Sequence, residues 1–338
     1  MAVVRKIGAL KTADRLSIRD PEIEAKILER AEESAEELNL PKGIIRQFYE
    51  SLIEASVDEQ KRVAAELINR ESVGKCVIYG GAGGMGRLMA ELMMLHGYDV
   101  SIVRSSGAIL SYPEMRESDA PIGDSNLSIV SVPMSVTAEI IERSASEVPG
   151  KKIYEICSMK NHLKEAIVRV REKGTEVISL HPMFGPGIGS FKDKPVLFCG
   201  EEKDQFSDDP LWKAFEVERA RLITVPFESH DRLMSYILQL THAINIIYFT
   251  MLSNSGIDFK ELARAASPIC DRQLSNADAV AQQDPKLYFE IQRLSGHLEH
   301  LLDELKGAEK KLIEALSDDS GTKFEALMKK GKEYFEGG

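Results

Sequence analysis

Residues 75–103, KCVIYGGAGGMGRLMAELMMLHGYDVSIV, decide the fold of this chain. Residues 75–79 are an apolar run with the length of a buried strand, and a turn rich in glycine follows them. Residues 87–95 then have the pattern of a helix, and residues 99–103 form a second apolar run. This order of strand, turn, helix and strand predicts the first βαβ unit of an open sheet.

The glycine-rich turn matches the pattern G-x-G-x-x-G in the context that the pattern needs, between a strand and a helix. The first glycine permits the tight turn, the second lets the backbone approach a pyrophosphate, and the third lets the helix pack closely on the strand. The N-terminus of the helix would then face the phosphates. A turn that binds nothing is the alternative, and this context argues against it. The residues predicted to bind a dinucleotide are Gly81, Ala82, Gly83, Gly84, Met85 and Gly86.

The end of the second strand bears on the choice between NADP and NAD. An acid at that position favours NAD, because a carboxylate accepts the ribose 2′-hydroxyl. Here the strand ends in Arg104, followed by Ser105 and a second serine, which favours the 2′-phosphate of NADP. The alternatives that Arg104 stacks on adenine or points to solvent stay open. Val132 and Pro133, at the end of another predicted strand, are also expected to contact the cofactor.

Strands and helices alternate as far as residue 226. The further strand-like runs are LSIVSVP, KKIYEICS, EVISLHP, VLFCG and ARLITVP. This alternation predicts a parallel, doubly wound α/β sheet of Rossmann type. The flanking parts of the chain show helical patterns, so we expect a helical segment over residues 1–70 with a linker that ends near Arg70, a dinucleotide-binding domain over 73–226 and a helical domain over 227–338.

The composition is that of an ordinary globular protein. Of 338 residues, 43% are hydrophobic and 29% are charged, and the formal net charge of −11 argues against binding to nucleic acid. The four cysteines form no CxxC pair, so neither a disulfide set nor a metal site is expected. No signal peptide is recognisable, and these features together predict a cytoplasmic protein. Polar residues interrupt the longest apolar run, residues 234–252, which therefore predicts a buried helix rather than a membrane span.

The stretch SLHPMFGPGIG, residues 179–189, places His181 between an apolar strand and a turn of prolines and glycines. These residues prevent the strand from continuing and prevent a helix from starting. His181 should therefore lie where a strand ends, and ligands bind at such ends in open α/β sheets. Position alone leaves open the alternative that His181 merely ends the strand.

Several stretches carry a family resemblance over residues 75 to about 330. They are GGAGGMGRLMAELMMLHGYDV, IVSVPMSVT, EICSMKN, LHPMFGPGIGS, ESHD, LTH, SPI and QQDPKLYFEI. Together they resemble prephenate dehydrogenase, and more closely the dehydrogenase part of the bifunctional chorismate mutase–prephenate dehydrogenases of tyrosine biosynthesis. The resemblance implies oxidative decarboxylation of prephenate to 4-hydroxyphenylpyruvate, with hydride transfer to the nicotinamide, by a homodimer built through the carboxy-terminal helices.

The resemblance also assigns site residues. His181 matches the catalytic histidine of the family, and Ser158 matches the serine that binds the substrate hydroxyl. Lys160 could face a carboxylate or the cofactor, with a solvated lysine as the alternative. His242 matches a histidine of the substrate pocket, with a polar break on a core helix as the alternative. The pair formed by His230 and the following aspartate is interpreted as a cap for the helix after it.

One departure from the family concerns the arginine that binds a substrate carboxylate shortly after SPI. Ungapped matching puts Asp271 at that position, and Arg272 follows one residue later. One residue of a helix corresponds to a rotation of about 100°, so a simple exchange would misdirect the guanidinium. Arg272 is nevertheless the predicted partner, because a dianionic substrate needs a cation.

The amino-terminal segment resembles an incomplete chorismate mutase. The matching positions are Lys11, Asp20, Glu24, Ser56 and Gln60. Ile23 stands where the family has an arginine, and the sequence begins in the middle of the family's long first helix. Two interpretations are open, a truncated product, which we favour, or a relic with a structural or oligomerisation role. Since the family's helix-one arginines are missing, the expectation is negligible mutase activity.

Other functions are compatible with parts of this pattern. A β-hydroxyacid or arogenate dehydrogenase could share a Rossmann domain followed by helices, and a non-catalytic dinucleotide-binding regulator could keep the glycine motif. A regulator would have no need for Ser158, His181 and His242 together, and the LHPMFGP stretch would have no role in a β-hydroxyacid dehydrogenase. Their joint presence favours a dehydrogenase of the prephenate type, and the sequence leaves open whether its small-molecule substrate is prephenate or arogenate.

Overall fold

The computed structural model describes residues 2–13, 16, 18–38, 40–68, 72–113, 115, 118, 121–188 and 190–337. The chain divides into two compact units. The first comprises residues 1–158 and 163–227, and the second comprises residues 159–162 and 228–338. The predicted linker end near Arg70 lies outside the described residues, and the expected three-part division stays a prediction.

The described residues contain eight strands, which form one sheet in the order β3-β2-β1-β4-β5-β6-β7-β8. The strands are β1 (Gly74–Tyr79), β2 (Tyr98–Val103), β3 (Ile109–Tyr112), β4 (Leu127–Val130), β5 (Lys152–Glu155), β6 (Val177–Pro182), β7 (Pro195–Cys199) and β8 (Arg221–Val225). The helices of the first unit are α1 (Ala2–Ala13), α2 (Pro21–Glu37), α3 (Lys42–Ile68), α4 (Gly84–Leu95), α5 (Met134–Glu147), α6 (Lys164–Glu172) and α7 (Pro210–Val217).

The central strands β2, β1, β4, β5 and β6 run parallel, and the direction in which strands are added reverses between β1 and β4. Every residue of β4 and β6 is buried, which is typical of strands covered on both faces. The reversal between β1 and β4 is the topological switch point, where ligands bind in doubly wound sheets. The expected Rossmann-type sheet is confirmed.

The sheet is mixed rather than entirely parallel, which the sequence pattern did not predict. β3 pairs antiparallel with β2, because the turn that begins at Arg104 forms a tight hairpin with Gly107 at a φ of 85°. β7 pairs antiparallel with β6. The segment between them is rich in proline and glycine, and its described residues, 183–188 and 190–194, contain no crossover helix, so the chain returns directly.

The amino-terminal helices expose much of the apolar surface that helical spacing assigns to one face. Ala31 and Ala35 of α2 are buried, whereas Ile23 and Ile27 of the same helix are exposed. On α3, Phe48 is 57% exposed. The described surface of this segment is therefore unusually apolar for a single chain.

The second unit is helical. After α8 (Phe227–Met234) and a π-helical turn (Ser235–Leu240), it contains α9 (Thr241–Asn254), α10 (Phe259–Ala265), α11 (Pro268–Ala281), α12 (Pro285–Leu294), α13 (Leu298–Leu316) and α14 (Thr322–Glu336). The prediction that residues 234–252 form a buried helix was wrong for the single chain, since Ile244, Ile247 and Met251 are exposed. None of the helices in the described ranges is long and apolar enough to cross a membrane.

Candidate active-site residues

Four of the parallel strands deliver the predicted site residues to one edge of the sheet. β1 ends at the glycine-rich turn, β4 ends just before Val132 and Pro133, β5 ends three residues before Ser158, and β6 ends with His181 and Pro182. Parallel strands have their carboxyl ends on the same edge. The turns after β1 and β4 touch, because a Cβ added to Gly80 would lie 2.1 Å from the carbonyl oxygen of Ser131.

The glycines of the motif have distinct surroundings. A Cβ on Gly86 would lie 2.3 Å from the carbonyl oxygen of Gly80, and a Cβ on Gly81 would lie 2.7 Å from the side chain of Ile102. These two positions require glycine for packing of the turn, helix and strand. A Cβ added to Gly83 would lie 3.3 Å from the carbonyl oxygen of Gly80 and would meet no other atom within 4 Å. The side of Gly83 that faces away from Gly80 is therefore open.

The open side of Gly83 lies at the N-terminus of α4. Gly83 is the N-cap residue, and no side chain caps the helix. The backbone N–H groups in the first turn of a helix lack partners within the helix and attract anions. The turn therefore fits the pyrophosphate of a dinucleotide, with space at Gly83 and free donors at the helix start.

Arg104 directly follows β2, which is the strand next to β1. Its backbone N–H donates to the carbonyl oxygen of Ala108, and its carbonyl accepts from Gly107 N–H. The side chains of Arg104, Ser105 and Ser106 are exposed. A cation with two hydroxyl neighbours at this strand end can bind a phosphate, and it offers no carboxylate to a ribose.

His181 is 4% exposed and lies at the end of β6. It is in register with Leu197 of the antiparallel strand β7, and the next pair is Pro182 with Val196. The hydrogen bond from Met183 N–H to the carbonyl oxygen of Pro195, at 3.0 Å, extends this pairing past the strand end. The pairing with β7 therefore fixes the backbone of His181 on the side of β6 that is opposite to β5.

Ser158 is half-buried and follows β5. Just before it, the backbone N–H of Cys157 donates to the Glu155 carboxylate at 2.9 Å, and Glu155 is fully buried. A buried carboxylate that accepts a nearby backbone N–H stabilises a tight turn. The chain leaves β5 in a defined direction as it reaches Ser158.

The second unit contains a buried polar cluster around Asp231. The Asp231 carboxylate accepts hydrogen bonds from Lys160 N–H at 2.8 Å, from Asn161 N–H at 2.7 Å and from Nδ1 of His230 at 2.7 Å. Lys160, His230 and Asp231 are all fully buried. Burial by itself would raise the pKa of Asp231, but the hydrogen bonds from His230 and the two backbone groups outweigh it and lower the pKa.

Two sequence-based interpretations need correction at this cluster. The pair of His230 and Asp231 does not cap the following helix, because both residues lie inside α8, and the Asp231 carboxylate binds the backbone of residues 160–161 instead. The alternative of a solvated Lys160 is wrong, since that side chain has no exposed surface. The sequence offered no signal for a contact between residues about 70 positions apart.

His242 lies in the first turn of α9 and is 7% exposed. Its ring stacks on Tyr288 of α12, with centroids 4.0 Å apart and an interplanar angle of 21°. Burial lowers the pKa of His242 to about 4, so the imidazole is neutral at neutral pH. Its Nδ1 has no hydrogen-bond partner among the described residues.

Sequence reasoning missed Gln239, three residues before His242, and treated it only as a break in an apolar run. Gln239 is fully buried, and its Nε2 donates to the carbonyl oxygens of Ile291 and Gln292 at 3.2 Å and 2.9 Å. Those two bonds fix the orientation of the amide. The spacing of three residues from His242 on a helix is the signal that could have grouped these two buried polar side chains.

Arg272 lies on α11, where its Nε donates to the carbonyl oxygen of Pro268 one turn earlier, at 3.2 Å. Both Asp271 and Arg272 are exposed. The next residue, Gln273, faces α9 and donates to the side chain of Asn245 at 3.0 Å. Arg272 is therefore an exposed side chain that bonds to the backbone of its own helix, and its role stays a prediction.

The five mutase-like positions are engaged in local contacts. Lys11 Nζ donates to the carbonyl oxygen of Ile18 at 2.6 Å, and Asp20 caps α2 by accepting from Ile23 N–H at 3.1 Å. Glu24 pairs with Arg19 at 3.4 Å. The remaining two are Ser56 and Gln60, which hydrogen-bond to each other at 3.2 Å on α3. Lys11 and Gln60 lie on the packed helices α1 and α3. Lys11 already donates to a backbone carbonyl, whereas the buried Oε1 of Gln60 has no hydrogen-bond partner among the described residues.

Three family models match the chain in sequence order. Chorismate mutase type II matches residues 1–61, the nucleotide-binding domain of prephenate dehydrogenase matches residues 93–223, and the dimerization domain of prephenate dehydrogenase matches residues 226–330. The two dehydrogenase models meet near the end of β8 and together span most of the chain.

Individual proteins agree with these models. The T-protein of Enterobacter agglomerans is 27% identical over 294 residues, which are 86% of this chain and 75% of that protein. The prephenate dehydrogenase from A. aeolicus in complex with hydroxyphenyl propionate and NAD+ is 15% identical, with a TM-score of 0.56 over 78% of this chain and 98% of that chain. The arogenate dehydrogenase from Synechocystis is 14% identical, with a TM-score of 0.59 over 78% of this chain and 99% of that chain. The two structures show a shared fold.

Proposed function

Because the chain belongs to the prephenate dehydrogenase family, we propose that it oxidatively decarboxylates prephenate to 4-hydroxyphenylpyruvate in tyrosine biosynthesis. The observation that carries this function is the position of His181, buried at the carboxyl end of β6 on the same sheet edge as the dinucleotide turn. A histidine there can act as a base at a substrate that also meets the cofactor.

In the proposed reaction, His181 acts first as a base and then as an acid. His181 accepts the proton of the ring hydroxyl as the carbon that bears it loses a hydride. When bound, the oxidised nicotinamide supplies the acceptor for that hydride. The ring is then a dienone, and the bond to the ring carboxylate breaks to release CO2. The electron pair of that bond moves through the ring to the oxygen, which takes a proton back from His181 as the ring becomes aromatic.

Other side chains bind the substrate. Ser158 hydrogen-bonds the ring hydroxyl and so orients it toward His181. The two carboxylates of prephenate need cationic or hydrogen-bonding partners, and Arg272, Lys160 and His242 are the proposed ones. Since His242 is neutral at neutral pH, it contributes a hydrogen bond rather than a charge.

The preferred cofactor is NADP, because Arg104 and its two serines follow β2 without a carboxylate. The test is a spectrophotometric assay at 340 nm, with prephenate and either NADP or NAD. Faster reduction of NADP at equal concentration supports the role of Arg104. Faster reduction of NAD leaves the dehydrogenase activity in place and contradicts that role. No reduction of either, with arogenate also inactive, contradicts the proposed function.

We also propose a homodimer and negligible chorismate mutase activity. The dimer is supported by the exposed apolar side chains of α9, within the part matched by the dimerization-domain model. For the mutase, Ile23 supplies no charge, and Lys11 already donates to a backbone carbonyl. Mutase catalysis depends on cations around a dicarboxylate. Rapid loss of chorismate in an assay of the chain would contradict the second proposal.

A further inference from the structure

The loop after His181 contacts the start of the dinucleotide-binding helix. A Cβ added to Gly84, the first residue of α4, would lie 2.8 Å from Cγ of Pro186 and 2.9 Å from its Cβ. The backbone of Gly84 therefore lies directly against the proline ring. No such contact exists at the flanking glycines of the loop, since a Cβ on Gly185 or Gly187 would meet nothing within 4 Å.

The loop holds Pro186 in a fixed place. The ring of Phe184 contacts Phe191 at 5.9 Å, and Phe191 in turn contacts Phe215 at 5.5 Å. Phe184 and Ile188, on the two sides of Pro186, both pack against the hydrophobic core. A proline between two anchored residues has little freedom, because its ring also fixes φ.

We infer that Pro186 is a further cofactor-binding residue, which forms an apolar wall over the pyrophosphate at the N-terminus of α4. This inference rests on the dinucleotide-binding part of the proposed function. The N–H groups that begin α4 have no side-chain cap and would hold the pyrophosphate. Proline has no N–H of its own, so it covers that site without competing for the phosphate oxygens, and its ring keeps water from them.

The contact also explains why position 84 is glycine. The motif requires glycine only at its first, second and third glycine positions, and Gly84 is none of these. A side chain at residue 84 would push either the proline ring or the helix start out of place. The same loop begins at His181, so the proposed base and this wall of the cofactor site belong to one short, anchored segment.

The test is a double-mutant cycle at these two positions, with dinucleotide affinity measured in the full chain without substrate, by titration calorimetry. Gly84→Ala should weaken binding at least about tenfold, because the added Cβ cannot coexist with the ring. Pro186→Gly should weaken binding about two- to fivefold, through loss of the wall and a more mobile loop. The double variant should bind more tightly than Gly84→Ala alone, because Pro186→Gly removes both ring atoms that the new Cβ would meet.

The control is Gly185→Ala, whose added Cβ meets nothing, and it should bind the dinucleotide like the wild type. The pyrophosphate is common to NAD and NADP, so each variant should weaken both cofactors by the same factor. Circular dichroism and the thermal midpoint confirm that each variant is folded. The inference would be overturned if Gly84→Ala bound the dinucleotide like the wild type, or if the losses of the two single variants multiplied in the double variant. It would also be overturned if Gly185→Ala lost as much affinity as Gly84→Ala, or if any loss were confined to one cofactor.

This experiment separates the inference from the proposed function, because prephenate is absent from it. A chain that shows the rescue but does not oxidise prephenate refutes only the substrate assignment. A chain that oxidises prephenate but shows no rescue refutes only the role of Pro186.

Discussion

At the scale of single residues, His181 is the side chain on which the proposed chemistry depends most directly. His181→Asn keeps a side chain of similar shape at the end of β6 but removes the base. We expect kcat to fall by about 10²- to 10⁴-fold, the usual contribution of general acid–base catalysis. The dissociation constant of the dinucleotide should stay nearly unchanged. Steady-state kinetics and a direct binding titration check the two halves of this expectation, and wild-type turnover would remove His181 from the mechanism.

The dependence of kcat/KM on pH tests whether His242 is neutral during turnover. Burial lowers the pKa of His242 to about 4, so His242 stays neutral above pH 5 and cannot produce a loss of activity between pH 6 and 7. An acidic limb in that range should therefore survive in His242→Asn, because it comes from another group. Loss of the limb in His242→Asn would contradict this assignment.

Arg104 is expected to determine the choice of cofactor and nothing else. Arg104→Ala should weaken NADP by about tenfold, because one charge-assisted interaction with the 2′-phosphate is lost. Binding of NAD should change little. Calorimetric titrations with both dinucleotides measure the ratio, and an equal loss for the two would show that Arg104 contacts a part that they share.

At the scale of structural elements, the Asp231 carboxylate joins α8 to residues 160–161 by accepting hydrogen bonds from both of their backbone N–H groups, and it also accepts one from the adjacent His230. Asp231→Asn replaces an acceptor-only group by one whose amide nitrogen cannot accept. We expect the free energy of unfolding to fall by about 3 kcal/mol, as when a buried charged partner is removed. Urea denaturation measures this, and Asp258→Asn, at an exposed N-cap, is the control that should cost less.

The contribution of Asp231 should also depend on pH with a definite sign. Its pKa is lower in the folded chain than its ordinary value of 3.8, so the folded state favours the carboxylate. The stabilisation is therefore complete above the unfolded pKa and is lost as the pH falls through the lower folded pKa. The difference between wild type and Asp231→Asn should be constant near neutral pH and should shrink below pH 3.8. A difference that grows on acidification would contradict this account.

These elements also show where sequence reasoning succeeds and where it stops. The glycine motif and the Pro/Gly loop after His181 are local patterns, so they predict a turn and a strand end without knowledge of distant residues. Asp231 was misinterpreted because its partners lie about 70 residues away. Sequence reasoning missed the antiparallel direction of β7, because that direction results from a proline- and glycine-rich loop that does not favour a crossover helix. Pro186 belongs to the loop after His181 and Gly84 belongs to the glycine motif, so neither local pattern alone could predict their contact.

At the scale of the whole molecule, the exposed apolar side chains of α9 indicate where two copies would meet. Met251 is 67% exposed in the single chain, so Met251→Asp should leave the fold intact and weaken the dimer. Analytical ultracentrifugation should show monomers at a concentration at which the wild type is dimeric. Val168→Asp, at an exposed apolar position on α6, is the control that should remain dimeric. A dimeric Met251→Asp would place the interface elsewhere.

The short segment of residues 159–162 belongs to the helical unit, although it lies in the chain between two parts of the other unit. Anyone who wishes to produce the carboxy-terminal half as a separate fragment meets a difficulty here. A fragment that starts at residue 227 keeps Asp231 but lacks Lys160 and Asn161, whose backbone N–H groups donate hydrogen bonds to its carboxylate. A buried charge without these donors is costly, so such a fragment would fold less stably than the same helices in the intact chain. Cutting the gene at the apparent boundary would divide one folding unit in two.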